Sequence, residues 1–245
     1  MTQTKVTFKN AAGQALAGVL HGTLGSFAVI SCHGMLSCKD GVKHVALGEA
    51  LEQRDVPMLR FDFAGCGDSE GELFAMTCSG RVKDVDAAVA FLAAQGVERF
   101  GLFGSSVGGT VALLAAARDE RIVGVATLAA VAHIESTTEL QPSLVRDWEE
   151  KGYIETASGR LGRAFYDDAR AHDVVAAVRI LHAPLLVLHG EDDPTVPVSD
   201  AHDIASAARN ASLEIVDGAG HRFENPVHLR PAIRMIADFL ARLAD

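Results

Sequence analysis

The feature that most constrains this chain is a repeated alternation. Short apolar runs at Phe27–Ser31, Pro57–Phe63, Arg99–Phe103, Ile122–Leu128 and Pro184–Leu188 are separated by segments of helical period. A strand that reads as nearly continuous apolar sequence is buried on both faces, as happens when a parallel sheet is covered by helices on both sides. One spacer places Val82, Val85, Val89 and Leu92 on one face and stops at Gly96, a helix with its own stop signal. The last begins with Asn225 as N-cap and Pro226 at the first helical position, and its stripe is Ile233, Ile236, Leu240 and Leu243. Ahead of the alternation, Lys5–Phe8 and Ala15–Leu20 flank an Asn-Ala-Ala-Gly turn, which predicts a hairpin. From Ala132 to His182 the rhythm fails. That stretch has no strand-like run and holds Trp148, Tyr153, Phe165 and Tyr166 among many charges. It is expected to be a cap or lid inserted into a single domain spanning 1–245.

Composition narrows the function. A hydrophobic share of 49% can build a sizeable core and argues against disorder. A formal net charge of −10 disfavours a nucleic-acid binder, which needs surplus Lys and Arg to neutralise phosphates. The N-terminus MTQTKVTFKN lacks a signal peptide's apolar core, and the longest apolar run, Ile122–Ala132, is far shorter than the roughly 20 residues of a membrane span. The expectation is a cytoplasmic protein with no membrane partner. Cys32, Cys38, Cys66 and Cys78 form no CxxC pair and no metal-ligand spacing, so they read as reduced thiols.

The strongest local signal is Gly104-Ser105-Ser106-Val107-Gly108, set between the run ending at Phe103 and the helix-like VALLAAA. This is the G-x-S-x-G nucleophile elbow in the strand-to-helix context it requires. Taken alone, it could equally be a Gly/Ser turn of a nucleotide-binding sheet. Its partners favour the elbow. Asp193 follows the buried run Pro184–Leu188, and His221 follows Leu213–Val216 in Gly-Ala-Gly-His. The chain order is then Ser, Asp, His, with all three after strands on one sheet edge. In those roles His221 accepts the Ser106 proton and returns it to the leaving group, and Asp193 orients the imidazole. Asp192 competes for the acid role, but the G-x-x-D-x-x-V frame from Gly190 to Val196 selects Asp193. A metal site built from His189, Asp192, Asp193 and His221 matches no ligand spacing; no metal or other cofactor is expected.

The run Phe27–Cys32 ends in His33-Gly34-Met35, where such a fold turns the chain beneath a substrate carbonyl. The backbone N–H groups of Met35 and Val107 are the candidate oxyanion donors. His33 is a candidate for the pocket edge, read as a structural hydrogen-bonding residue before a second base. Trp148, Tyr153, Phe165 and Tyr166 are candidate pocket walls, each a large apolar face, three of them with a polar handle. Simple packing of the insertion is the alternative reading.

These residues resemble the α/β-hydrolase superfamily over essentially the whole chain. The stretch Arg60-Phe61-Asp62-Phe63-Ala64-Gly65-Cys66-Gly67-Asp68-Ser69-Glu70-Gly71 is similar to the D-x-x-G-x-G-x-S segment of serine-aminopeptidase-like hydrolases and cinnamoyl or feruloyl esterases. The resemblance implies an α/β-hydrolase fold: a mostly parallel eight-stranded sheet, helices on both faces and a short cap at residues 132–182. It implies Ser106, Asp193 and His221 as catalytic, with Met35 and Val107 as oxyanion donors. Two positions depart from the pattern: Ser105 and Cys66 stand where His is frequent. The resulting expectation is a cofactor-independent serine hydrolase for small to medium acyl or aryl esters, acting through an acyl-enzyme on Ser106. A thioesterase, a short-peptide peptidase or an acyltransferase could use the same triad, and a receptor could keep the fold as a binding pocket. A Ser nucleophile disfavours dehalogenase and epoxide-hydrolase chemistry, which needs a carboxylate at the elbow. The sequence leaves the oligomeric state open.

Overall fold

The computed structural model describes residues 3–134 and 142–244. The strands are β1 (Gln3–Lys9), β2 (Ala15–His21), β3 (Phe27–Cys32), β4 (Met58–Phe61), β5 (Arg99–Ser105), β6 (Ile122–Leu128), β7 (Tyr153–Thr156), β8 (Gly159–Gly162), β9 (Leu185–Gly190) and β10 (Ala211–Val216). The helices are α1 (Val42–Glu52), α2 (Cys78–Ala93), α3 (Val107–Ala116), α4 (Pro142–Lys151), α5 (Arg163–Arg170), α6 (Val174–Ile180), α7 (Val198–Ala207) and α8 (Pro226–Ala241). Eight strands form one sheet in the order β1-β2-β4-β3-β5-β6-β9-β10. β2 runs antiparallel to both its neighbours, and every other pairing is parallel. The mostly parallel, eight-stranded sheet is the expected one.

Each central strand is buried on both faces, which explains its unbroken apolar sequence. On one face Val29, Phe103, Leu128 and Leu188 pack with Leu47 and Leu51 of α1 and with Ile233, Ile236 and Leu240 of α8. On the other, Ile30 and Leu102 pack with Val85 and Leu92 of α2, Val111 of α3 and Ile204 of α7. Each fully buried Leu or Ile stabilises by roughly 1.5–3 kcal/mol. Both helix starts are capped. The Thr77 hydroxyl accepts the Gly80 N–H ahead of α2, and the Asn225 side-chain oxygen Oδ1 accepts the Val227 N–H ahead of α8. Leu243 is half-buried just beyond the end of α8.

Between β6 and β9 the chain inserts α4, the β7–β8 hairpin, α5 and α6. Strands here correct the sequence reading. Each has four residues, and the hairpin's buried apolar content is the single cross-strand pair Ile154–Leu161, too short a pattern to register as period two. Among the described residues, no helix is long and apolar enough to cross a membrane.

Candidate active site

Ser106 sits where β5 turns into α3. Its backbone has φ 56 and ψ −130, a left-handed conformation that costs an L-residue about 1–3 kcal/mol. The turn is held by the Ser106 N–H donating to Leu128 O at 3.0 Å and the Gly109 N–H donating to Ser106 O at 2.8 Å. The flanking glycines are required by close approach: a Cβ on Gly104 would overlap the Gly108 carbonyl, and one on Gly108 would overlap the carbonyl of Cys32. The turn therefore lifts the hydroxyl above the sheet edge, at the positive end of the α3 dipole.

The acid and the base come from two loops that are zipped together. Glu191 N–H donates to Val216 O and Asp192 N–H to Ala219 O, both at 3.0 Å. Phe223, buried among the α1 and α8 side chains, anchors the second loop behind the histidine. His221 Nδ1 lies 2.8 Å from Asp193 Oδ2, and His221 Nε2 lies 3.0 Å from Ser106 Oγ. With its proton on Nδ1 donated to Asp193, the imidazole presents an acceptor nitrogen to the serine. Burial by itself would raise the Asp193 carboxyl. Hydrogen bonds from His189, His221 and the Val196 N–H outweigh that and hold it well below the usual carboxylate range. Asp193 Oδ1 also accepts the N–H groups of Thr195 and Val196. Asp192 is exposed and makes no such bond to the imidazole.

Met35 and Val107 each follow a residue that adjoins or forms the Ser106 turn. A Cβ on Gly34, next to Met35, would stand 3.5 Å from Ser106 Cβ, and Val107 is the first residue of α3. Among the described residues, neither backbone N–H has a hydrogen-bond acceptor. A hydroxyl hydrogen-bonded to an imidazole, with unsatisfied N–H groups on the neighbouring chain, is an arrangement that can do acyl-transfer chemistry.

A family model for the prolyl oligopeptidase family matches residues 70–245. The chain belongs to that family. It is similar to palmitoyl-protein thioesterase ABHD10, mitochondrial, of Homo sapiens, at 28% identity over 229 residues covering 88% of this chain and 74% of the relative. Among solved structures it is similar to Est1E of Butyrivibrio proteoclasticus with bound ferulic acid: TM-score 0.84, 21% identity, 98% and 99% of the two chains covered. Mouse alpha/beta hydrolase domain-containing protein 10 superposes with TM-score 0.81 at 24% identity over 98% and 99%. The fold is that of the α/β hydrolases, and the protein is a hydrolase with esterase-like and thioesterase-like relatives.

Two sets of pocket candidates in this prolyl oligopeptidase family member have structural partners. His33 is buried and takes the hydrogen-bonding role that the sequence favoured. The Phe63 N–H donates to its Nε2 at 3.2 Å, so the ring proton is on Nδ1, which donates to Gly34 O at 2.8 Å. Burial, reinforced by the Arg81 charge, pushes its pKa well below the ordinary histidine value, so the ring is a neutral brace for the chain after β3. The four aromatic candidates are likewise used for packing. Trp148 is fully buried, donates Nε1–H to Leu161 O at 3.0 Å and stacks on Tyr166 at 5.2 Å. Phe165 is fully buried, and Tyr153 lies under Arg160. The narrow cavity beside Val107 is lined instead by Cys78, Thr110, Val131, Ala132, Ala169 and Val174.

Three contributors escaped the sequence reading. His189 Nε2, fully buried, lies 3.2 Å from Asp193 Oδ2. Lys43 of α1 donates to Ser105 Oγ at 2.9 Å and to His221 O at 3.3 Å. Burial lowers its ammonium to about 8, against the opposing pull of Asp193. Arg81 of α2 holds the carbonyls on either side of the Met35 N–H. Its signal was a charge in phase with the stripe of Val82, Val85 and Leu92.

Proposed function

We propose that the protein is a serine hydrolase that cleaves carboxylic esters of small to medium acyl or aryl type through an acyl-enzyme on Ser106. The observation that carries this reading is the unbroken relay Asp193–His221–Ser106, at 2.8 and 3.0 Å. In the first half-reaction Ser106 Oγ attacks the acyl carbonyl as His221 Nε2 takes its proton. Negative charge on the former carbonyl oxygen is met by the N–H groups of Met35 and Val107, and the imidazolium is stabilised by Asp193. The imidazolium then protonates the leaving alcohol, and a water repeats the sequence to release the acid. The cavity beside Val107, ≈ 10 Å³ and lined by Val, Ala and Ile side chains together with Thr110 and Cys78, holds about one water. A short acyl chain suits it better than a long one.

A thioester is the second reading, favoured by the likeness to palmitoyl-protein thioesterases over 88% of the chain. The same relay serves it, with a leaving thiolate that needs less protonation than an alkoxide. The test is to assay nitrophenyl esters and acyl thioesters of matched chain length in parallel, with wild type and Ser106→Ala. Expected are fluorophosphonate labelling of wild type and a loss of about 10⁵-fold or more in kcat for folded Ser106→Ala. Labelling or turnover that survives in Ser106→Ala would overturn the proposal, and a folded wild type with neither would leave a binding protein.

A further inference from the structure

The Arg81 guanidinium is an anomaly by the ordinary rules of burial. It is 1% exposed, forms no ion pair among the described residues within hydrogen-bonding reach, and leaves its Nε–H without an acceptor. A charge taken out of water without a carboxylate is expensive to keep. Its partners are instead three backbone carbonyls and a thiol: Nη2 donates to Met35 O at 2.8 Å and to Cys66 Sγ at 3.5 Å, and Nη1 to Gly34 O at 3.2 Å and His33 O at 3.4 Å. Its plane lies 4.7 Å from the centre of the Phe63 ring, the ring of the residue whose N–H fixes His33. The side chain therefore fastens the three consecutive peptides after β3.

We propose that Arg81 is a positioning residue for oxyanion stabilisation, aiming and polarising the Met35 N–H by holding the Gly34 carbonyl. The reasoning is geometric. Gly34 O and the Met35 N–H belong to one peptide, and no peptide in the described chain is cis. In a trans peptide the C=O and N–H point in opposite directions. Arg81 Nη1 and His33 Nδ1 both bind Gly34 O, so the N–H of the same peptide is driven toward the opposite side, where Gly34 lies against Ser106. A glycine peptide is otherwise the easiest in the chain to flip. The cation adds a second effect. A charge-assisted bond to a carbonyl polarises the amide and strengthens its N–H as a donor, and no reorganisation is needed when negative charge appears on the substrate oxygen. A neutral residue could fill the volume under Phe63 but could do neither of these things.

The inference rests on the hydrolase reading of Ser106, and the experiment separates the two. Arg81→Met, Arg81→Lys and Arg81→Ala are compared with wild type, all checked for folding by near-ultraviolet circular dichroism. For folded Arg81→Met we expect kcat to fall about 10²-fold with KM changed less than threefold, the pattern of a lost transition-state donor. Affinity for a boronic acid, which forms a tetrahedral adduct on the serine, should fall in step with kcat/KM. Arg81→Lys keeps the charge but reaches fewer carbonyls and should lie in between. Arg81→Ala opens a space contiguous with the surface groove that Arg81 lines together with Thr77, Gly80 and Asp84. Millimolar guanidinium, but not urea, should restore part of its kcat. The proposal is overturned if folded Arg81→Met keeps kcat and boronate affinity within twofold of wild type. If Arg81→Met does not fold, Arg81→Lys decides, and wild-type kcat in that variant overturns it equally. An inactive wild type, or one whose turnover survives Ser106→Ala, would instead overturn the hydrolase reading.

Discussion

The two regions that face each other across Ser106 are built by different means. The loop edge of the sheet is held by buried polar groups. Besides Arg81, Lys39 donates its backbone N–H and its ammonium to the fully buried Asp62 at 2.6 and 2.9 Å, and Ser31 Oγ pairs with His44 Nδ1 at 2.6 Å. The insertion is held by rings and exposed charges: the Trp148–Tyr166 stack, and the ion pairs Lys151–Asp147, Arg160–Glu155 and Arg163–Asp167 at its surface. Its polar tie to α2 is half-buried: Asp168 accepts the Ser79 hydroxyl at 2.6 Å and its N–H at 2.8 Å. Breaking a buried charged contact costs about 3–5 kcal/mol, whereas an exposed pair is worth about 0–1. The edge that would do chemistry is thus fixed in direction, and the insertion can change its surface at little cost.

The sharpest separation of the two comes from Asp193→Asn. The amide keeps an oxygen for the Thr195 and Val196 N–H groups, so the turn keeps its acceptor, but its NH2 then faces the donor nitrogens of His189 and His221 and the melting temperature should fall. Without the carboxylate the His221 tautomer is no longer enforced, and kcat should fall about 10⁴-fold, or about 5.5 kcal/mol. Asp192→Asn should change kcat less than twofold. Steady-state kinetics on one activated ester checks both, and a reversal between the two aspartates would move the acid to the exposed residue.

Trp148→Ala is the matching experiment on the other side. Removing a fully buried indole together with its bond to Leu161 O should cost about 3–5 kcal/mol of stability. The kcat for an acetyl ester should stay within about threefold, because no lining residue of the cavity beside Val107 is lost. Urea denaturation and kinetics on the same preparations check it. Unchanged stability with an altered acyl preference would put Trp148 in the substrate pocket and erase the contrast.

Legibility in the sequence follows the same division. The central strands could be read because burial on both faces writes an apolar run, and the relay because Ser106 stands in the elbow motif and Asp193 and His221 follow strand-like segments in the expected chain order. What a side chain does across 40 or more residues of chain is not written locally. Arg81 appears as one charge in an apolar stripe, a pattern that also fits an arginine reaching out to solvent. Lys43 looks like an ordinary helix-start lysine, yet it meets Ser105, 62 residues away, and His221, 178 away. The insertion left two readings open. Its aromatic residues were conspicuous in a chain only 6% aromatic, and that fits a pocket wall or packing; Trp148 and Phe165 are buried, with Tyr166 against them, in the same cluster that covers one face of the main sheet.

Lys43 offers the smallest effect and the finest discrimination. Its ammonium is lowered to about 8 in the folded protein, by burial first, with Arg222 adding to this and Asp193 and Glu224 opposing it; His44, the next residue on α1, is buried and neutral. The unfolded chain holds that proton up to the ordinary lysine value of about 10.5. Between those two values the unfolded state binds more protons, so stability rises with pH across this window, and below it the buried charge weighs fully against folding. Relative to Lys43→Met, the wild type should therefore gain about 2 kcal/mol between pH 7 and pH 10. At pH 7 Lys43→Met should be the more stable protein and the slower enzyme, since it no longer ties His221 O to Ser105; a loss of about tenfold in kcat is expected. Urea melts at the two pH values, with kinetics at pH 7, measure both. Equal pH dependence in the two proteins would mean the ammonium is solvated in the folded state, and the loop edge would then be less rigidly built on this flank than on the flank held by Arg81.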